Sequence, residues 1–159
     1  MLHAADLDLT LYLPSSEATA ALGQALADRL RPGDTLLLSG PIGAGKTHLA
    51  RSLIQSWLGS AEDVPSPSFT LVQTYGEAAE LWHADLYRLG HPDEVLELGL
   101  EDAIGQAIVL IEWPDRLGEL APKEALRLEF SLSGEGRQLH VAGPAAWADR
   151  LSGLGGTLG

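Results

Sequence analysis

Residues 36–50 read LLLSGPIGAGKTHLA, an apolar run broken by three glycines and followed by a lysine and a threonine side by side. Gly40, Gly45, Lys46 and Thr47 fit the spacing G-x-x-x-x-G-K-[ST] without a gap. Nothing else in the chain constrains the fold as much, because such a loop works only between a buried strand and the start of a helix. Glycines let the backbone take conformations closed to other residues, so successive N–H groups converge on one concavity. A helix N-terminus closes that nest, and the combination binds the β-phosphate of a nucleotide. Lys46 then reaches the β- and γ-oxygens, and the Thr47 hydroxyl ligates Mg²⁺. A turn that served only to reverse the chain would leave Lys-Thr in the first helical turn unexplained.

The flanking pattern agrees. LDLTLYLP alternates, with Leu7, Leu9, Leu11 and Leu13 on one face, as in a half-buried strand. SSEATAALGQALADRL reads as a helix capped by Ser15 or Ser16, with Glu17 well placed for the helix dipole. Its apolar positions Ala18, Leu22, Leu26 and Leu30 recur every four residues. RPGD is a turn, TLLLS a short strand buried on both faces, and a second helix is expected from Lys46 to about Leu58, with Leu49, Leu53 and Trp57 inward.

The middle third begins with VPSPSF, where prolines break regular structure. A strand from Phe69 to Tyr75, a turn at Gly76–Ala79 and a second strand in ELWHADLYRL predict a hairpin. HPDEVLELGLEDAIG reads as two short helices joined at Gly99, and AIVLIEWP as another wholly apolar strand. EALRLEFSLS and RQLHVAG form a further hairpin around Gly134 and Gly136. The expectation is a three-layer α/β domain with a mixed central sheet flanked by helices, spanning 1–152, with a glycine-rich flexible tail at 153–159.

Composition limits what such a domain can do. There are no cysteines, which excludes disulfides and thiolate metal sites. No apolar run approaches the roughly 20 residues of a membrane span, and MLHAADLDLT lacks the character of a secretory signal, so the cytoplasm is the expected location. Ten Lys and Arg against 22 Asp and Glu leave a net charge of −12 and no basic run. A phosphate backbone needs clustered cations, so any service to a nucleic acid is expected to pass through another protein.

A triphosphate site also needs an acid at the end of a neighbouring strand to complete the Mg²⁺ contacts. Glu112, closing AIVLIE, supplies one. Trp113 beside it is a core residue or a lid on the site. Asp85 in HADLYRL lies between apolar positions, where an unpaired carboxylate is costly. It could orient water, act as a base or hold Mg²⁺ through water, or simply pair with Arg88. His83 reads as a satisfied structural histidine rather than a ligand. Ser66, Ser68 and Thr70 offer hydroxyls in a loop of the kind that nucleotide switches order around the γ-phosphate, or form a plain loop.

Together SSEATAALG, SGPIGAGKT, SPSFTLVQTY, HADLYRL, LGLED, IEWPDRL and GRQLHV resemble, in order, the bacterial TsaE (YjeE) family over roughly Leu13 to His140. Those are small P-loop ATPases required for the threonylcarbamoyl modification of tRNA adenosine beside the anticodon. The resemblance implies a P-loop NTPase-like fold and that Gly43, Ala44, Gly45, Lys46 and Thr47, with His48 following, hold ATP. It implies that Thr47 and Glu112 hold Mg²⁺ with Asp85 close by, and that Lys46, Asp85 and Glu112 carry hydrolysis. Ser16 would lie near the base, Ser68 and Trp113 beside the nucleotide, and Arg137 would approach it. The chain departs from the family pattern at Pro41, His48, Ser68 and Ala84, where Asp, Thr, Thr and Phe are usual, and none of these removes a catalytic group. The family association further implies ATP-dependent binding to a TsaD–TsaB heterodimer, contact with tRNA only through those partners, and no membrane.

Intrinsic hydrolysis is expected to be slow, since no arginine near the loop reads as a finger. The resemblance also implies adenine over guanine, and no NKxD-type guanine reader is seen in the sequence. Two rivals remain at this level. A small-molecule kinase would need a cationic lid, and arginines here are few and scattered. A nucleotide-gated adaptor would need no turnover at all.

Overall fold

In the computed structural model, residues 6–60, 64, 65, 67, 71–89, 91, 93–152 and 154 are described. Seven strands form one sheet: β1 (Leu7–Leu13), β2 (Thr35–Ser39), β3 (Val72–Tyr75), β4 (Leu81–Asp85), β5 (Ile108–Glu112), β6 (Leu126–Ser133) and β7 (Gly136–Gly143). Their order across the sheet is β1-β7-β6-β2-β5-β4-β3. β2 runs parallel to both of its neighbours, β5 and β6, and β4 runs parallel to β5. The remaining pairs, β1–β7, β6–β7 and β3–β4, are antiparallel. The sheet is therefore mixed, with its parallel part at the centre.

The wholly apolar runs sit where both faces are covered. Leu36, Leu38, Ile108 and Leu110 enter one core cluster with Leu22 and Leu26 of α1 (Ser16–Ala27) and Leu49 and Leu53 of α2 (Lys46–Leu58). The alternate residues Leu37, Val109 and Ile111 enter a second cluster on the other face. There Val95 of α3 (Glu94–Leu98), Leu100 and Ala103 of α4 (Leu100–Ala103) and Leu117 of the 3₁₀ stretch Pro114–Leu120 cover them. Strand alternation sends successive side chains to opposite faces, so a strand between two helical layers must be apolar throughout. The antiparallel half is covered on one side only. Leu126, Leu128, Phe130, Leu139 and Val141 are buried beneath α1 and α2, while Arg127, Glu129, Ser131 and His140 face solvent.

Ser15 is the cap of α1, its hydroxyl oxygen accepting from the Ala18 N–H at 3.2 Å. The helix stops at Ala27, short of Leu30, although Leu30 still packs against the core. α1 and α2 approach closely at Gly23, where a Cβ would lie 2.9 Å from the Leu53 backbone nitrogen. α2 ends at Gly59, which takes the left-handed conformation that closes many helices.

The expected hairpin of β3 and β4 is present from Val72 onward, and Phe69 and Thr70 lie outside the described residues. Gly99 joins α3 to α4 with positive φ. A fifth helix, α5 (Ala146–Arg150), has no counterpart in the sequence reading. Its Arg150 guanidinium donates to Asp34 at 2.9 Å and lies 4.3 Å from the Trp147 ring, which fastens the helix to the chain just before β2. Leu151 and Leu154 remain buried beyond it, so packing extends past the boundary expected at residue 152.

Candidate active site

β2 ends at Ser39, and the chain turns through Gly40, Gly43 and Gly45, all with positive φ, into the first turn of α2. Gly40 has no alternative, because a Cβ there would lie 2.6 Å from the Phe130 carbonyl oxygen. Ala44 is fully buried under the loop, and its N–H bonds to the Pro41 oxygen at 3.1 Å. Ile42 stands at the tip, 73% exposed. The turn thus presents main chain rather than side chains to the space above the strand ends.

Lys46 is buried although charged. Its ammonium donates to the Gly40 carbonyl and lies 3.6 Å from the centre of the Trp113 ring. Burial pushes this group below the ordinary lysine range, and Glu112, Asp85 and Asp115 pull it back up. An ammonium stripped of water in this way has the more to gain from an anion. Trp113 itself has φ 61°, a strained position for a bulky side chain, and its ring meets Tyr87 at 4.8 Å between centroids. The Trp113 N–H bonds to the Leu38 carbonyl at 3.1 Å, which ties the exit of β5 to β2.

The Thr47 hydroxyl donates to Glu112 Oε1 at 2.9 Å. Glu112 is buried, and its other oxygen, Oε2, meets His83 Nε2 at 2.7 Å. Asp85 is the register neighbour of Glu112 across β4 and β5, and it accepts from the Tyr87 N–H at 3.0 Å. Lys46, Thr47, Asp85, Glu112 and Trp113, all singled out in the sequence, line one open cleft of about 420 Å³ together with Gly43, Gly45 and His48. The cleft is also lined by Ile42 and Tyr87, which the sequence reading passed over. Tyr87 lies in the turn just beyond β4, past the reach of its alternation, so the strand period gives no signal for it.

A second cleft, of about 240 Å³, adjoins the first and shares Gly43, Gly45 and His48 with it. Ser16, Ala44 and Arg137 belong here. His48 Nε2 donates to the Ser16 carbonyl at 2.9 Å, linking the starts of the two helices. Arg137, the second residue of β7, donates to the Gly43 oxygen at 3.3 Å and to the Gly136 oxygen at 3.0 Å. Arg137, expected near the nucleotide, thus stands at the loop, on this side rather than beside Glu112 and Asp85. Ser66, Ser68 and Thr70 lie outside the described residues.

The donor set suits a hard cation shared with a phosphate. It has one hydroxyl and two carboxylates, and among the described residues no group of three His, Asp or Glu side chains forms a cage. Mg²⁺ is commonly held in this way, through one or two carboxylates plus substrate oxygens. Also among the described residues, no helix is long and apolar enough to cross a membrane.

Residues 13–139 match the family model described as threonylcarbamoyl adenosine biosynthesis protein TsaE. A tRNA threonylcarbamoyladenosine biosynthesis protein TsaE of Rickettsia felis is 37% identical over 130 residues, 81% of this chain and 76% of that one. The protein of the same name from Bacillus subtilis is 36% identical over 121 residues, 75% of each. That of a Nostoc species is 42% identical over 113 residues, 67% of this chain and 68% of its own. The crystal structure of Bacillus subtilis YdiB superposes with a TM-score of 0.75 at 26% identity, covering 94% of this chain and 95% of that one. A loop, a strand-end acid and a family model that agree over the same residues leave one assignment: this chain belongs to the TsaE family of threonylcarbamoyladenosine biosynthesis proteins.

Proposed function

We propose that the chain is a Mg²⁺-dependent ATPase of the cytoplasm. It serves formation of the threonylcarbamoyl group on the tRNA adenosine next to the anticodon, and it acts through ATP-dependent association with a TsaD–TsaB-type heterodimer. One observation supports this above the others: the hydroxyl of the phosphate loop and the acid at the end of the adjacent parallel strand are joined at 2.9 Å. That pair is where a metal bound to the β- and γ-phosphates takes its protein ligands.

In this reading the main-chain amides of Gly43–Thr47 cradle the phosphates, and Lys46 leaves the Gly40 carbonyl and the Trp113 ring for the β- and γ-oxygens. Thr47 and Glu112 hold Mg²⁺, which supplies neutralisation of the charge that develops on the phosphate oxygens. Asp85, level with Glu112 on the next strand, orients the attacking water or takes its proton. The second cleft, with Ser16 and Arg137, receives the nucleoside. Among the described residues, no arginine lines the cleft that holds Glu112 and Asp85, so turnover is slow until a partner completes the site.

The test is ATP hydrolysis by the chain alone, with the TsaD–TsaB pair, and with that pair plus tRNA. The expected result is a slow basal rate that rises with the pair. A rate unchanged by the pair counts against completion by a partner. Absence of nucleotide binding under every condition overturns the whole proposal.

A further inference from the structure

The geometry points to His83 as the residue that positions Glu112 for the metal, a role that rests on the Thr47–Glu112 magnesium site proposed above. His83 is 0% exposed, at the third position of β4. Strand alternation puts Leu81, His83 and Asp85 on one face of β4, and Ile108, Leu110 and Glu112 on the same face of β5. His83 is the register partner of Leu110, one step behind Glu112 along the strand. From there its Nε2 reaches Glu112 Oε2 at 2.7 Å, while Oε1 of the same carboxylate accepts from Thr47 at 2.9 Å. A carboxylate only accepts, so the proton in the first bond belongs to Nε2. The other ring nitrogen, Nδ1, is buried with no hydrogen-bond partner among the described residues. One ring nitrogen is thus committed to Glu112 and the other to nothing else.

The consequence is a division of labour between the two oxygens. With Oε2 held from behind by an imidazole, the carboxylate cannot rotate about its last bond without losing a buried hydrogen bond. Oε1 is the oxygen left facing the phosphate loop. His83 touches neither nucleotide nor metal in this arrangement. It is a positioning residue, and partners of this kind typically cost about 10- to 100-fold in metal affinity or activity when removed.

The test uses three substitutions on the full chain. His83→Gln can place an amide N–H near the Nε2 position, His83→Asn places it nearer Nδ1 and short of Glu112, and His83→Leu fills the space without a donor. Each variant is checked for folding by thermal melting. ATP binding is then titrated by calorimetry at a series of Mg²⁺ concentrations, alongside the Mg²⁺ concentration that gives half-maximal hydrolysis. The expected result is a requirement for Mg²⁺ raised about 10-fold or more in the Asn and Leu variants. The Gln variant should stay near the parent, and ATP binding without Mg²⁺ should be equal in all four. Should the Leu variant fail to fold, the contrast between Gln and Asn decides the matter by itself. Folded variants that share the parent's Mg²⁺ requirement, or a Gln variant no better than Asn, overturn the role of His83. A parent protein whose ATP binding is indifferent to Mg²⁺ overturns the metal site instead.

Discussion

At the scale of single residues, the proposed site would separate holding a nucleotide from turning it over. Lys46 gives up hydration to lie against the Trp113 ring and the Gly40 carbonyl, a loss that nearby Glu112, Asp85 and Asp115 offset in part and that a phosphate would offset in the proposed site. Lys46→Ala is expected to weaken ATP binding by about 30-fold or more, the lower end of the loss when one partner of a desolvated charge pair is truncated. Calorimetry with Mg²⁺ checks this. Glu112→Gln keeps the shape and a hydrogen-bonding side chain but removes the charge proposed to meet the metal. It should retain most ATP binding while hydrolysis falls about 100-fold or more. The same variant decides between an ATPase and an adaptor that needs only bound ATP. Cells dependent on an ATPase will not grow on it, whereas an adaptor will support growth undiminished.

At the scale of elements, the packing of α1 on α2 turns on one glycine. Gly23 permits that contact, since a Cβ would press on the Leu53 nitrogen at 2.9 Å and the Leu49 oxygen at 3.0 Å. Gly23→Ala must push the helices apart, and a loss of about 1–3 kcal/mol in denaturant unfolding is expected. The start of α1 carries a pH dependence. Glu17 is held below the ordinary carboxylate range by its own backbone N–H and then by Ser15. A folded-state value lower than the unfolded one gives stability that is present above the unfolded value and lost as pH falls through the lowered one. Glu17→Gln should therefore shrink the difference between urea midpoints measured near pH 7 and near pH 3. Elements with a local signal could be read from the sequence. The bounds of α2 follow from the loop at one end and Gly59 at the other, and β1 alternates along its length. α5 escaped because five residues with one inward Trp147 carry no period. The contact of His83 with Glu112 escaped for another reason: it depends on the stagger of β4 against β5, across 29 residues that say nothing about register.

At the scale of the whole molecule, charge decides what the surface can meet. A chain of net charge −12 repels a polyphosphate, and binding to tRNA by this protein alone should be undetectable at physiological salt. An electrophoretic shift that persists in salt would contradict this, whereas a shift seen only with the TsaD–TsaB pair would agree. Strand order was beyond the sequence for a reason that belongs to this scale. The alternation of Leu7–Leu13 says that one face is buried but does not name its neighbour, which is Gly136–Gly143. That late strand lies between β1 and β6, and it also delivers Arg137 to the Gly43 carbonyl. During synthesis, then, the first of the seven described strands must wait for the last one before it can dock. Pairings so distant in sequence are slow to close. A ribosome stalled anywhere before Arg137 holds the phosphate loop beside an unfinished second cleft, and in the proposed reading such a fragment would lack part of its nucleoside pocket.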